Sequence, residues 1–208
     1  MPRTRIIPPT GRGVKTEGAL AVAELFAGLE GPALLWIQEN LRGPLDELIS
    51  GYTRLGNIGL LWLVLSAAML LWRPTRKAGA AALLAMLLGL LVTNVTIKPL
   101  LSRTRPWLDV PGLEALVEEL DPNSFPSGHS CAAFAAAVSW RRELPWKWAG
   151  RLAVALAVCM ALSRLYVGVH YPTDVLAGSL IGCLCGWCGG KLLDKLEEMR
   201  KNRNGGSC

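Results

Sequence analysis

Only two histidines occur in this chain, His129 and His170, and each stands among residues suited to handling a phosphoryl group. His129 lies in the stretch FPSGHS, Phe125 to Ser130, directly before the small apolar run CAAFAAAVSW. Ser127 suits a helix N-cap, Gly128 lets a ligand approach the backbone, and the positive end of the helix dipole favours an anion. The second histidine belongs to SRLYVGVHYPTDVLAG, where His170 follows Arg164 by six residues and Asp174 follows His170 by four. An ionisable side chain such as Arg164 near the end of an apolar segment is expensive to place there and reads as functional. Pro172 suits the first turn of a helix, which puts Asp174 in that same turn with its carboxylate able to reach back to the imidazole. A carboxylate on one ring nitrogen fixes the tautomer and leaves the other nitrogen bare and nucleophilic.

A third segment, KPLLSRTRP, sets Lys98 and Arg105 at one end of an apolar block, with Pro106 after Arg105. Read alone, these cations would simply reach toward lipid headgroups. Together the three segments supply both histidines, a carboxylate to orient one of them, and the cations Lys98, Arg105 and Arg164. Phosphoryl transfer needs that set: Lys/Arg and backbone amides to neutralise the anion, one group to attack, and another to protonate the leaving oxygen.

The elements that must position these residues are membrane helices. In this 208-residue chain, 51% hydrophobic, the apolar residues come in blocks rather than at amphipathic spacing. Ala78 to Ile97 holds about 20 residues without a charge, enough to cross a hydrocarbon core of about 30 Å. Asn57 to Trp72, Trp148 to Gly168 and Tyr171 to Leu193 are further spans, and the short run from His129 to Trp140 has the Ala, Ser and Cys content of a buried one. The segment over residues 18–41 is weaker, because Glu24, Glu30 and a Gly-Pro break interrupt it, and it either crosses or lies in the interface. It lacks the features of a cleaved secretory signal. The expectation is an all-α, polytopic bundle of six helices forming a single domain over residues 1–208, with a basic segment at 1–17 and a tail at 194–208.

The net charge of +6 does not point to nucleic acid, since the basic residues flank apolar blocks without aromatic interleaving. Placing the basic segments MPRTRIIPPTGRGVK, RPTRK and RRELPWKWAGR and the Lys/Arg-rich tail on the cytoplasmic side gives six crossings with both termini inside. The same assignment puts Leu100 to Ser127 and Ser163 to Asp174 on the extracytoplasmic face. Within the first of these, Leu113, Leu116, Val117 and Leu120 fall at i, i+3, i+4 and i+7, which predicts a short amphipathic helix along the membrane surface.

The patterns K-x6-R-P at Lys98 to Pro106, P-S-G-H at Pro126 to His129 and S-R-x5-H-x3-D at Ser163 to Asp174 resemble those of the type-2 phosphatidic acid phosphatase family, membrane lipid phosphatases related to acid phosphatases and vanadium haloperoxidases. All eleven specified residues are present and in order. The resemblance covers the chain from the third span to the sixth and implies a multi-pass protein of the plasma membrane with its site on the extracytoplasmic side. It also implies roles. His170 is the nucleophile that forms a phosphohistidine, and Asp174 orients it. His129 protonates the leaving group and then activates water. Lys98, Arg105 and Arg164 hold the phosphoryl oxygens with Ser127 and the Gly128 amide, and neither a metal nor another cofactor is required. The expected partners are a lipid phosphate or diphosphate and the surrounding membrane lipids. Undecaprenyl diphosphate is the favoured substrate, with phosphatidylglycerophosphate, phosphatidate and diacylglycerol pyrophosphate as alternatives that the motifs do not separate. A lipid-binding or transporting protein without hydrolysis is the non-enzymatic alternative, disfavoured by the intact His129, His170 and Asp174.

Cys183, Cys185 and Cys188 form C-x-C-x2-C, but the spacing does not gather them on one helical face and no histidine is near, so a packing role is expected. With Cys131 and Cys159 also in spans and Cys208 in the tail, no disulfide is expected.

Overall fold

A computed structural model describes residues 17–205. The basic residues of the 1–17 segment, and Cys208, therefore lie outside the described residues. Among those described, the chain is all helix and loop: α1 Glu17–Leu41, α2 Asp46–Leu55, α3 Leu60–Met69, α4 Arg76–Leu90, the one-turn helices α5 Lys98–Leu101 and α6 Pro106–Asp109, α7 Gly128–Glu143, α8 Lys147–Tyr166 and α9 Pro172–Gly205. The Gly-Pro pair does not break α1, which continues through Pro32. Likewise the helix begun at Pro172 runs unbroken through the residues expected to form a tail.

α7 is the centre of the bundle, packed by α4, α8 and α9. Its small residues make this possible: Ala133, Ala135, Ala136 and Ala137 are wholly buried, as are Ala78, Ala81, Ala82 and Ala85 of α4 and Ala157 of α8. The contact with α9 is close enough to need glycine. A Cβ on Gly178 would lie 2.3 Å from the Ser127 carbonyl oxygen, and one on Gly182 would lie 2.4 Å from that of Cys131. Large apolar side chains point the other way, with Leu87, Leu90, Leu152, Leu162, Leu184 and Trp187 exposed on the outside. Small residues inside and leucine outside is the packing of helices in lipid, where burying leucine gains nothing over leaving it against acyl chains.

Three helical stretches have the length and apolarity of a span: Arg73–Asp109, Lys147–Tyr166 and Pro172–Arg203. The pair Asp46–Leu55 and Asn57–Met69 passes the same test as one span bent by 49°. The bend comes at Ile58 and Gly59, both with positive φ (51° and 73°). The protein is thus an all-α, multi-pass membrane bundle.

Two local departures from the sequence reading shape the site. The Ala78 to Ile97 block is not a uniform α-helix, because its last turns, Leu91–Ile97, are π-helical. Thr93 Oγ1 donates to the Gly89 carbonyl at 2.7 Å and Thr96 Oγ1 to that of Leu91 at 2.9 Å. Threonine hydroxyls that bond back to the preceding turn compete with the regular ladder, and such widened turns recur at functional sites. The second departure is the amphipathic helix predicted for residues 113–120, which does not form; the segment is irregular loop. Leu113 and Val117 are buried while Leu120 is 99% exposed, so the four apolar residues share no face. Tertiary contacts override the periodicity. The Leu116 amide donates to the Val167 carbonyl at 3.0 Å, and Glu119 is drawn inward to two arginines described below.

Candidate active site

The three sequence segments converge at one end of the bundle, where α4 ends and α7 and α9 begin. Lys98, Arg105, Gly128, His129 and His170 line a single cavity of about 700 Å3. Beyond this polar end the walls turn apolar, with Leu63 of α3 and Leu83, Met86, Leu87 and Leu90 of α4.

His170 sits in the turn between α8 and α9 and is 1% exposed. Its Nε2 lies 3.0 Å from Arg105 Nη1. A guanidinium can only donate, so Nε2 is the bare nitrogen and the ring proton is on Nδ1. Nδ1 faces Asp174 Oδ2 at 3.5 Å, within ion-pair reach but longer than a hydrogen bond, and among the described residues it has no hydrogen-bond partner. The bare nitrogen is thus directed to the cation cluster, and Asp174 stands on the Nδ1 side without a hydrogen bond to it. Burial, followed by the charges of Arg105 and Arg164, holds the imidazole well below its ordinary pKa of 6.5, so it is neutral and able to attack at neutral pH.

Arg105 is itself held from several sides. Nη1 donates to the Val169 carbonyl at 3.0 Å, and Nε and Nη2 donate to the Asp121 carbonyl at 3.1 and 2.9 Å. His129, on the first turn of α7, is only half-buried. Its Nε2 lies 3.1 Å from Asn57 Oδ1, which makes Nε2 the nitrogen that carries the proton on the cavity side.

Ser127 is the N-cap of α7, as its position suggested. Its Oγ accepts from the Ser130 amide at 3.3 Å and from the Ser130 hydroxyl at 3.0 Å. It is fully buried and outside the cavity lining, so it shapes the helix start rather than lining the cavity. Its carbonyl accepts the Cys131 amide at 3.0 Å, which leaves the Gly128 and His129 amides as the α7 donors lacking a helical carbonyl. The Ser127 amide donates to the Asp174 carbonyl at 3.0 Å, tying the start of α7 to the start of α9.

Over residues 78–196 the sequence matches the PAP2 superfamily. The chain belongs to that superfamily. Among curated relatives, the undecaprenyl-diphosphatase of Sulfolobus acidocaldarius is 30% identical over 146 residues, covering 68% of this chain and 70% of that protein. Among solved structures, LpxE of Aquifex aeolicus superposes with a TM-score of 0.66 at 25% identity, over 83% of this chain and 94% of the other. The PAP2-type phosphatidylglycerolphosphate phosphatase of Bacillus subtilis gives 0.60 at 30% identity, over 89% of each. All three sequence segments with the chemistry-bearing residues fall inside the matched region.

Three carboxylates that the sequence reading did not assign to the site, Glu30, Glu119 and Asp121, complete this PAP2 site. Glu119 accepts from Arg164 and lies 3.4 Å from Arg105 Nη2, so one loop residue occupies two of the three predicted phosphate-binding cations. Asp121 pairs with the third, Lys98. Burial opposes ionisation of Asp121, but the Lys98 ammonium, the Asn123 amide and Arg105 outweigh it and hold the carboxyl below its ordinary range. Arg164 is fully buried, donates to Thr53 Oγ1 at 2.7 Å, and does not line the cavity. Asp174 also has a partner that the motifs did not name: Arg103, whose Nη1 donates to Oδ1 at 2.8 Å and whose Nη2 donates to Glu30 at 2.7 Å. Glu30 carried a signal in the sequence, since a charge within an apolar segment is functional by default. Glu119 and Asp121 carried none beyond being acidic residues in a loop between cations. Among the described residues no group of three His, Cys, Asp or Glu side chains is arranged to hold a metal ion. Cys185 is buried, Cys183 partly so and Cys188 exposed, so C-x-C-x2-C presents no common face.

Proposed function

We propose that this protein is an integral-membrane lipid phosphatase acting through a phosphohistidine, with undecaprenyl diphosphate as the favoured substrate. The observation that carries the reading is His170: a buried, neutral imidazole with its bare Nε2 on the cation cluster and Asp174 behind its Nδ1. A phosphoryl group entering the polar end of the cavity meets Lys98, Arg105 and the α7 amides, with Arg164 behind them, while an apolar chain follows the leucine-lined wall.

In the first step His170 Nε2 attacks phosphorus, the bond from phosphorus to the lipid-side oxygen breaks, and His129, protonated to the imidazolium beside the bound phosphate, gives its Nε2 proton to that oxygen and is left neutral. With a lipid diphosphate the departing group is the lipid monophosphate. In the second step His129 takes a proton from water, the resulting hydroxide attacks the phosphohistidine, and the N–P bond breaks to give inorganic phosphate and neutral His170. Asp174 offsets the positive charge that the ring carries between the two steps. No step draws on a metal ion. The favoured substrate is supported by the likeness to the undecaprenyl-diphosphatase of Sulfolobus acidocaldarius, and phosphatidylglycerophosphate by the likeness to the phosphatidylglycerolphosphate phosphatase of Bacillus subtilis. The site faces the extracytoplasmic side with both termini inside, a topology supported by the basic loops at the opposite end of the bundle.

The test is phosphate release in detergent micelles from undecaprenyl diphosphate, phosphatidylglycerophosphate, phosphatidate and diacylglycerol pyrophosphate, side by side. Undecaprenyl diphosphate turns over fastest, His170→Ala and His129→Ala each abolish release, and EDTA leaves it unchanged. Wild-type turnover by His170→Ala rules the mechanism out.

A further inference from the structure

We propose that Arg103, clamped by Glu30 of α1, is a positioning residue that sets Asp174 against His170. The inference rests on the phosphatase reading above. Asp174 has two carboxylate oxygens, and one of them is already committed. Oδ2 accepts the Tyr171 amide at 2.8 Å and faces His170 Nδ1. Rotation about the carboxyl bond is then decided by Oδ1, which Arg103 Nη1 holds at 2.8 Å. Turning the carboxylate plane breaks that contact as it moves Oδ2 relative to the imidazole.

Arg103 is fixed in its turn. Nη1 also donates to Thr173 Oγ1 at 2.7 Å, Nη2 donates to Glu30 Oε2 at 2.7 Å, and the guanidinium lies 3.9 Å from the centre of the Tyr171 ring. Glu30 closes the ring from the other side. Its Oε1 accepts the Thr173 amide at 2.7 Å and its Oε2 the Thr173 hydroxyl at 3.0 Å. The Thr173 hydroxyl thus accepts from Arg103 and donates to Glu30, which is consistent with its one proton. Both charged side chains are about one-tenth exposed. A carboxylate at the first turn of α9 is also where the helix dipole favours it. The arrangement gives α1 a part in the chemistry: Glu30 braces Arg103, Arg103 braces Asp174, and Asp174 sets the ring that attacks. The 3.5 Å gap to Nδ1 closes in the reacting complex only if Oδ2 already points along the right line, since such contacts tighten with substrate bound.

A positioning residue differs from a mere anchor for α1 in what its loss changes. The experiment measures kcat and KM for the four lipid phosphates above in Arg103→Gln, Glu30→Gln and Asp174→Asn, and in the doubles Arg103→Gln/Asp174→Asn and Glu30→Gln/Asp174→Asn, with detergent melting of each. Arg103→Gln lowers kcat by about 10- to 100-fold, the range for groups that act by orienting another, with KM within about twofold. Glu30→Gln gives a smaller loss of the same kind. In the Asp174→Asn background neither substitution lowers kcat further, because there is no longer a carboxylate to set. Wild-type kcat in Arg103→Gln overturns the inference, as do losses that multiply in the double variants. If Arg103→Gln yields no folded protein, the Glu30→Gln cycle decides by the same criterion. A wild type silent on all four lipids overturns the phosphatase reading and the inference with it, whereas an active wild type with an indifferent Arg103 overturns the inference alone.

Discussion

Glu119 stands where the substrate's phosphoryl oxygens are expected, and replacing it makes the empty site easier to fill. In Glu119→Gln the carboxamide oxygen can still accept a hydrogen bond, but the charge shared between Arg164 and Arg105 is gone. A hydrogen bond to a charged partner is worth about 1.5–3 kcal/mol net. The Arg105 contact, at 3.4 Å, adds little, so the Arg164 contact sets the scale. An incoming anion must displace that contact in the wild type and need not in the variant. At about 1.4 kcal/mol per factor of ten, anion affinity rises roughly ten- to a hundredfold. The same substitution strips a fully buried guanidinium of its counter-charge, a change that destabilises by about 3–5 kcal/mol where pairs are fully desolvated. The protein therefore melts earlier when empty and recovers more on adding anion. The assay is inhibition by orthovanadate, a phosphate mimic, paired with melting in detergent at rising vanadate. Unchanged or weaker inhibition in Glu119→Gln, with no larger melting shift, refutes the view that this carboxylate competes with phosphate.

Three further outcomes follow from the geometry. Gly182→Val places a Cβ 2.4 Å from the Cys131 carbonyl and forces α9 off α7, lowering stability by about 1–3 kcal/mol in detergent melting, whereas the same change at Gly28, with nothing near it, leaves packing intact. Because burial and then Arg105 and Arg164 hold His170 below 6.5, the unfolded chain binds its proton first as pH falls, so the contribution of His170 to stability is complete above about pH 6.5 and is lost below it. Melting from pH 8 to 5 shows that loss, and His170→Asn removes part of it. A single cysteine placed in the loop at 107–123, in an otherwise cysteine-free chain, is labelled by an impermeant maleimide from the extracytoplasmic side; labelling only from the cytoplasm reverses the proposed orientation.

The helices were legible because lipid is their solvent. A side that faces acyl chains needs leucine over its whole length, so apolar blocks mark spans directly, as at Ala78 to Ile97 and Trp148 to Gly168. The site was legible where chemistry fixes spacing within one segment, as in the four-residue step from His170 to Asp174. What failed depended on contacts made across the chain. Residues 113–120 have helical periodicity, but Glu119 is drawn to Arg164, 45 positions away, and the Leu116 amide to Val167. Pro32 was read as a break because proline removes a helical hydrogen bond, yet α1 runs on through it. Glu30 was visible as a misplaced charge, but its partner Arg103 lies 73 positions on, beyond the reach of any local pattern.

The charges around the site divide by how they are held. Arg103 is enclosed by Glu30 and Asp174, away from the cavity lining and bound to the first turn of α9. Lys98, Arg105 and Arg164 are paired instead with Glu119 and Asp121, both on one irregular loop and both lining the cavity. The four cations thus face four carboxylates unevenly: Arg103 holds both Glu30 and Asp174, whereas Lys98, Arg105 and Arg164 share Glu119 and Asp121. An unmatched cluster of cations buried at a membrane surface would be costly, and the loop carboxylates offset that cost while no substrate is present. On the proposed reading a phosphate or diphosphate exchanges for them, bringing comparable negative charge to the same three cations and displacing Glu119 and Asp121. Binding on these terms leaves the Glu30, Arg103 and Asp174 set, which lies outside the cavity lining, in place. On that reading the ion pairs that face the cavity are exchangeable, and those that set Asp174 are not.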